Sequence, residues 1–251
     1  MDRFTTGVVS LLLAEGAHVA TCARPTAGLT ALGDSPAGEQ RVRLTTEALD
    51  VTESGRLEDF VTTAAKGLGV LEGTAKRHGG GGSDGTDGAD DLGGMDGADW
   101  AATWELNVGH TARVVRAVLP HLRAADGGSV VLIGSVPGWK PGTPAQYGVA
   151  KSALVHLAAS LARELGPDRI SVDVVSPGSM LIPGRGWDRM RREEPRAYEA
   201  FVGRELPTGA PVTPREVART VVFLLSDRAT GVSGAHLPVD RAQNAPSPDG
   251  Y

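Results

Sequence analysis

Runs of β-forming residues alternate with amphipathic, helix-like runs along most of this 251-residue chain. The stretch Ser129–Gly134 is typical of a strand buried on both faces, because its apolar run is continuous. Several helix-like runs begin at proline or end at glycine, the residues that favour those positions. Strands that alternate with helices are typical of a parallel sheet covered by helices on both faces. The sequence therefore predicts an α/β protein, organised as one domain over residues 1–251.

Hydrophobic spacing places the predicted elements along the chain. The strands are His18–Ala23, Leu44–Leu49, Ser129–Gly134, Ile170–Val175 and Ala235–Val239. The helices are Val8–Glu15, Glu53–Lys66, Trp100–Leu122, Pro144–Gly166 and Pro214–Leu225. Pro120 is expected to disturb the last turn of its helix. Residues 79–98 are predicted to form a flexible loop rich in glycine and aspartate, and residues 241–251 a C-terminal tail.

Charge and composition exclude several classes of protein. The 25 Lys and Arg residues against 30 Asp and Glu residues give a formal net charge of −5, which argues against a nucleic-acid-binding surface. No apolar stretch approaches the roughly 20 residues that a membrane span needs. The chain shows no secretory signal and contains one cysteine, Cys22, so we expect a cytoplasmic location. The histidines occur singly, without the spacing of metal ligands, and no metal site is predicted.

Three residues form a candidate site for acid–base chemistry. Tyr147 and Lys151 are four residues apart in a predicted helix, so both side chains leave the same face. A nearby ammonium group favours the phenolate form of a tyrosine, which then exchanges protons with an alcohol or a carbonyl oxygen. Ser135 follows a predicted strand, at the end where parallel sheets bind ligands. Its hydroxyl is placed to hold the same oxygen.

With these residues the chain resembles the short-chain dehydrogenase/reductase family, whose catalytic residues are Asn, Ser, Tyr and Lys in that order. Asn107 lies 40 residues before Tyr147, and Ser135 lies 12 residues before it, as in the family. Ser176-Pro177-Gly178 matches the family's Pro-Gly turn, and Asp50-Val51 matches a further family motif. The resemblance covers about Val8 to Asp240 and implies a Rossmann-like, doubly wound parallel sheet.

The resemblance also implies roles for individual residues. Tyr147 is the general acid or base, Ser135 positions the substrate oxygen, Lys151 tunes the tyrosine, and Asn107 holds a water in a proton relay. The cofactor would contact Asp50, Val51, Lys151, Pro177 and Gly178. Arg24, after the first predicted strand, would favour the 2′-phosphate of NADP. The substrate would lie near Trp139, Ile182, Trp187 and His78, under a lid formed by residues 183–210.

The chain departs from the family at three places that concern the cofactor. The family begins with a strand and a glycine-rich turn, TGxxxGxG, which receives the dinucleotide phosphates; neither is encoded before Val8. We therefore expect the first strand to be missing or replaced. The family's Asn-Asn-Ala-Gly motif corresponds to Lys76-Arg77-His78-Gly79. A family threonine that contacts the nicotinamide corresponds to Ile182, which cannot make that hydrogen bond.

The four matching catalytic residues, together with the three departures at the cofactor site, leave three possible functions. The first is an NADP(H)-dependent oxidoreductase that interconverts a carbonyl and an alcohol, although weak or absent cofactor binding has to be tested first. The second is an enzyme of the same fold that uses the four catalytic residues without a cofactor, for cyclisation, dehydration or isomerisation. The third is a non-catalytic partner of an intact relative. We expect a sizeable, apolar or aromatic small-molecule substrate, and either a homo-oligomer or a heteromer with such a relative.

Overall fold

The computed structural model describes residues 3–24, 27–34, 38–65, 96–141 and 144–245. Within them, strand β1 (Val19–Ala23) pairs with β2 (Leu44–Ala48), and β3 (Gly128–Ile133), β4 (Ile170–Pro177) and β5 (His236–Val239) form a second sheet in the order β3-β4-β5. Every one of these strand pairs is parallel. The predicted α/β class is therefore confirmed.

Helices connect the strands. They are α1 (Arg3–Ala14), α2 (Ala27–Asp34), α3 (Glu39–Val42), α4 (Ser54–Ala65), α5 (Gly97–Trp104), α6 (His110–Ala124), α7 (Ala145–Leu165), α8 (Gly186–Glu193), α9 (Pro195–Glu205) and α10 (Pro214–Leu224). One turn of π-helix, Glu105–Gly109, joins α5 to α6, and a 3₁₀ turn, Val136–Gly138, follows β3. None of the helices in the described ranges is both long and apolar enough to cross a membrane.

The central strand β4 is buried on both faces, and β3 is buried on both faces over its last four residues. Val130 and Leu132 of β3 pack with residues of α4, α6 and α7, whereas Val131 and Ile133 pack with α1 and α10. This alternation follows from the two-residue period of a strand. The helices therefore cover both faces of this sheet, as the sequence predicts.

A cavity of about 210 Å³ lies between the two sheets. Strands β1 and β3 each form the edge of their own sheet, and residues of both strands line the cavity. Helix α1 bridges the gap, because Phe4 and Val8 pack on the second sheet while Val9 and Leu13 pack against Val19 of β1. In the described residues helix α1 precedes β1, and the absence or replacement of the family's first strand stays a prediction.

Several predicted boundaries differ from the structure. Helix α1 begins at Arg3, five residues before the predicted start. The helix predicted over Trp100–Leu122 is divided by the π-turn, and the prediction that Pro120 disturbs its end was wrong, since α6 continues to Ala124. Proline removes one backbone donor, but Val115, Val118 and Leu122 bury the apolar face of α6 and hold the helix together.

Candidate active site

The turn after β3 lies directly against helix α7, and two glycines make the close contact possible. A Cβ atom on Gly138 would lie 2.8 Å from the carbonyl carbon of Lys151, and one on Gly148 would lie 2.9 Å from the carbonyl oxygen of Pro137. The Ser152 hydroxyl also donates to the carbonyl of Gly138, at 2.6 Å. This contact, which sequence reasoning missed, holds the turn that begins at Ser135 beside the α7 helix.

Tyr147 and Lys151 lie one turn apart in α7, as the sequence predicts. The Lys151 Nζ atom is 5.7 Å from the centre of the Tyr147 ring. Lys151 is almost fully buried, and its ammonium group donates to the carbonyl of Ile133, the last residue of β3, at 2.8 Å. An ammonium group this close to the ring stabilises negative charge on the phenol. The lysine is thus fixed between the tyrosine and the strand end that carries Ser135.

Asn107 lies in the π-turn and is buried. Its side-chain Nδ2 donates to the carbonyl of Thr103 at 2.8 Å, while the hydroxyl of Thr111 donates to its backbone carbonyl at 3.0 Å. The Oδ1 atom is buried and has no hydrogen-bond partner among the described residues. A buried acceptor without a donor is costly, so this atom is suited to hold a bound water.

His110 is a buried polar residue that sequence reasoning did not select. It lies one turn beyond Asn107 and lines the cavity between the sheets. Burial lowers the pKa of His110 to about 4, and the nearby positive charges of Lys151 and Arg113 also lower it. Its Nδ1 atom lies 3.3 Å from the carbonyl of Glu105, which accepts when the ring is protonated at that nitrogen. His110 is therefore neutral near pH 7.

The predicted cofactor residues lie after the carboxyl ends of the strands. Arg24 is exposed immediately after β1, and Asp50 and Val51 follow β2. The Asp50 carboxylate accepts from both the backbone N–H and the hydroxyl of Thr52, at 3.0 and 2.8 Å. The carbonyl of Val51 accepts from Arg113 at 3.3 Å.

At the carboxyl end of β4, Pro177 is buried and the N–H of Gly178 donates to the carbonyl of Val239 at 3.1 Å. Because the strands of each sheet are parallel, the predicted cofactor residues after β1, β2 and β4 lie at the carboxyl edges of their sheets.

The predicted substrate residues are distributed over two neighbourhoods. Trp139 contacts His236 edge to face, with ring centres 6.0 Å apart. Trp187 of α8 stacks on Phe201 of α9 at 4.1 Å, and this pair joins the two helices of the predicted lid. Ile182 is half-buried on the chain that leads from β4 into α8. His78 and the Lys76–Gly79 motif lie outside the described residues, as does the loop predicted at 79–98 apart from its last three residues.

The described residues do not gather three His, Cys, Asp or Glu side chains at any point that could hold a metal ion. Cys22 lines the cavity, and burial, with a smaller contribution from Glu47, raises the pKa of its thiol to about 12. The thiol is therefore protonated at neutral pH and is a poor nucleophile.

A parallel α/β fold with a helical Tyr-x-x-x-Lys pair beside a serine defines a class of oxidoreductases. A family model described as enoyl-(acyl carrier protein) reductase matches residues 5–241. The chain belongs to the short-chain dehydrogenase/reductase family, which confirms the resemblance seen in its sequence.

Known proteins agree with this assignment. The 2-(S)-hydroxypropyl-CoM dehydrogenase 3 of Xanthobacter autotrophicus is 29% identical over 198 residues, which cover 78% of this chain and 75% of the relative. A short-chain dehydrogenase/reductase family oxidoreductase from Burkholderia thailandensis has a similar solved structure, with 31% identity, a TM-score of 0.81 and coverage of 96% and 89%. The L-sorbose reductase of Gluconobacter frateurii, solved in complex with NADPH and L-sorbose, has 25% identity, a TM-score of 0.83 and coverage of 98% and 94%. Because relatives of this family are dehydrogenases and reductases, the chain is an oxidoreductase of the same kind.

Proposed function

We propose that the protein interconverts a carbonyl compound and an alcohol with NADP(H), using Tyr147 as general acid and base. The observation that carries the proposal is Lys151, a buried ammonium group that lies 5.7 Å from the Tyr147 ring and is hydrogen-bonded to the end of β3. A structural relative, the L-sorbose reductase, binds NADPH together with a small sugar. A small-molecule carbonyl substrate is consistent with that similarity.

Each of the four residues has a distinct task in this reaction. In the reducing direction the Tyr147 hydroxyl gives its proton to the substrate oxygen, and it takes the proton back in the oxidising direction. The Lys151 ammonium stabilises the phenolate that is left behind. The Ser135 hydroxyl donates a hydrogen bond to the same oxygen and fixes its position. A water held by Oδ1 of Asn107 passes the replacement proton toward the tyrosine.

The residues present suit a phosphorylated dinucleotide at its two ends. The exposed guanidinium of Arg24 is able to pair with a phosphate, because nothing buries it after β1. The backbone at Asp50 and Val51 would hold the adenosine part of the cofactor, and Lys151, Pro177 and Gly178 would hold its nicotinamide part. When bound, NADP(H) supplies or accepts the hydride.

A binding titration tests the cofactor part of this proposal. We expect saturable NADPH binding in calorimetry, with NADPH preferred over NADH because of Arg24. The charge-removing variant Arg24→Gln is expected to weaken NADPH binding about tenfold and to leave NADH binding unchanged. Equal affinity for the two nucleotides in the unmodified protein would refute the role of Arg24, and no binding by the folded chain would refute the hydride-transfer proposal.

A kinetic test follows for the acid–base residue. Tyr147→Phe removes the proton donor and keeps the ring, so turnover is expected to fall at least about a hundredfold. Folding is checked by the thermal midpoint, and NADPH affinity is expected to change less than about threefold. Undiminished turnover of Tyr147→Phe would exclude this tyrosine as the acid.

Ile182 favours a second candidate, a redox-neutral enzyme with the same acid–base residues. An aliphatic side chain at this half-buried position gives no hydrogen bond to a nicotinamide amide. The two candidates differ in one measurement, because only the oxidoreductase consumes NADPH in step with product. If the cofactor site is only impaired, Ile182→Thr is expected to strengthen NADPH binding. Ile182→Val is the control, because valine has the size of threonine but no hydroxyl. No gain from the threonine variant would favour the redox-neutral enzyme.

A further inference from the structure

The turn that follows β5 contains two consecutive strained residues. Arg241 and Ala242 have φ angles of 54° and 65°, in the left-handed region that disfavours residues with a Cβ atom. Such strain persists only where the surrounding contacts hold the backbone in place, and it is concentrated at functional sites. The contacts around this turn therefore indicate what it holds.

Asp240 fixes the turn from inside. Its carboxylate accepts hydrogen bonds from the backbone N–H of Ala242 at 3.0 Å, the backbone N–H of Asn244 at 3.1 Å and the Asn244 side chain at 3.0 Å. Asp240 and Asn244 are both buried. The guanidinium of Arg241 adds a link to the start of α10, where it donates to Glu216 at 2.6 Å. The turn is thus rigidly attached to the body of the protein.

Gln243 connects this rigid turn to the chain that leaves β4. Its Oε1 accepts from the backbone N–H of Ser179 at 2.9 Å, and its Nε2 donates to the Ser179 hydroxyl at 2.9 Å. A Cβ atom on the preceding residue, Gly178, would lie 2.5 Å from Cβ of Asp240 and 2.9 Å from Oε1 of Gln243. Gly178 therefore packs closely against the turn, and Ser179 is held by the oxygen and the nitrogen of the Gln243 side-chain amide.

We propose that Gln243 is a positioning residue, which fixes the Gly178–Ser179 backbone as one wall of the cofactor and substrate site. This inference rests on the proposed function for the ligand that occupies the site. The effect of Gln243 on the Gly178–Ser179 backbone does not depend on that ligand. Ser179 leads through Ile182 into α8 and α9, so a displacement at Ser179 reaches both the nicotinamide end of the site and the helices beside the substrate. The strained backbone at Arg241 and Ala242 places the Gln243 side-chain amide where it bonds to Ser179.

Hydrogen exchange of the Ser179 amide tests the effect of Gln243 on this backbone directly. In Gln243→Ala the amide loses its acceptor, and its exchange is expected to become at least about tenfold faster. In Gln243→Glu a carboxylate accepts from both the N–H and the hydroxyl of Ser179, so exchange is expected to stay within about threefold of the unmodified protein. Gln40→Ala makes the same change at an exposed glutamine of α3 and is expected to have no effect.

NADPH affinity and turnover separate a positioning role from a merely structural one. Gln243→Ala is expected to raise the NADPH dissociation constant about tenfold and to lower turnover, and Gln243→Glu is expected to restore both. Unchanged exchange at Ser179 in Gln243→Ala would overturn the proposal, and so would faster exchange with unaltered NADPH affinity. If the unmodified chain binds no NADPH, the proposed function fails, and the Ser179 exchange alone then decides whether Gln243 positions this backbone.

Discussion

A positive φ angle is strained for any residue with a Cβ atom, because the Cβ then crowds the backbone. Asp126, Arg169, Arg241 and Ala242 are the four non-glycine residues with this geometry in the described ranges. At Ala242 the methyl group makes no contribution that offsets the strain, since the residue is exposed. The conformation is imposed by the Asp240 carboxylate, which accepts from the Ala242 N–H.

Ala242→Gly is therefore expected to stabilise the protein. Removing the Cβ relieves about 1 kcal/mol of backbone strain, and part of this gain is lost because glycine has more conformational freedom in the unfolded chain. The net increase in the free energy of unfolding is expected to be about 0.5 kcal/mol, measured by urea denaturation. Ala245→Gly is the matched control, because that residue has no positive φ, and it is expected to be neutral or destabilising. A loss of stability in Ala242→Gly would contradict the assigned strain.

The contact between the 3₁₀ turn and α7 determines how two elements meet at the site. The sequence predicts the Tyr147–Lys151 pair because a helical period is local information. It does not predict that Gly138 rests on the backbone of Lys151, since that contact depends on how α7 packs against the strand end. Local spacing thus predicts which side chains share a helix face, whereas tertiary packing determines what that face contacts.

Gly138→Ala tests this packing. The added methyl would lie 2.8 Å from the Lys151 carbonyl carbon, so the turn or the helix has to move. Overpacking of this kind costs about 1–3 kcal/mol, and a shift of the turn moves Ser135 away from Tyr147. We expect turnover to fall about a hundredfold, with a lower thermal midpoint. Gly231→Ala, where a Cβ would meet no atom within 4 Å, is the control and is expected to retain activity. Full activity of Gly138→Ala would show that the close contact is not required.

The same distinction explains which elements were predicted well. The strands β1, β2, β3 and β5 were predicted to within about one residue at each end, and β3 is the clearest case because a continuous apolar run marks it. The π-turn at Glu105–Gly109 was not predicted, because an extra residue in a helical turn leaves no separate mark on the apolar spacing. The expected disturbance at Pro120 does not occur, because burial of the apolar face of α6 outweighs one lost hydrogen bond.

At the scale of the whole molecule, helices join the two sheets of the described residues. Strands β1 and β3 share no hydrogen bonds in the described residues, so α1, α4 and α6 carry the packing that joins the two sheets. His110 and Cys22 are among the side chains that line the cavity between the sheets. Both are neutral near pH 7 in the folded protein, because burial lowers the pKa of His110 to about 4 and raises that of Cys22 to about 12. Charging either group therefore opposes folding.

The sign of the pH dependence follows from the unfolded state. Below its ordinary pKa of 6.5, His110 takes up a proton in the unfolded chain and not in the folded one, so stability is expected to fall as the pH drops from 6.5 to about 4. Above its ordinary pKa of 9.0, Cys22 loses a proton only in the unfolded chain, so stability is expected to fall again at higher pH.

Urea denaturation across this range tests both limits, with His110→Gln and Cys22→Ala as variants that cannot titrate. The contribution of His110 between pH 6.5 and 4 is at most about 3.5 kcal/mol, since the pKa falls from 6.5 to about 4 and one pKa unit corresponds to about 1.4 kcal/mol. His110→Gln is therefore expected to lose less stability than the unmodified protein on the acid side and to keep its alkaline dependence. Cys22→Ala is expected to show the opposite pattern. An acid dependence that is identical in His110→Gln and in the unmodified chain would mean that the imidazole is hydrated in solution and that the two sheets are not sealed against water at the cavity.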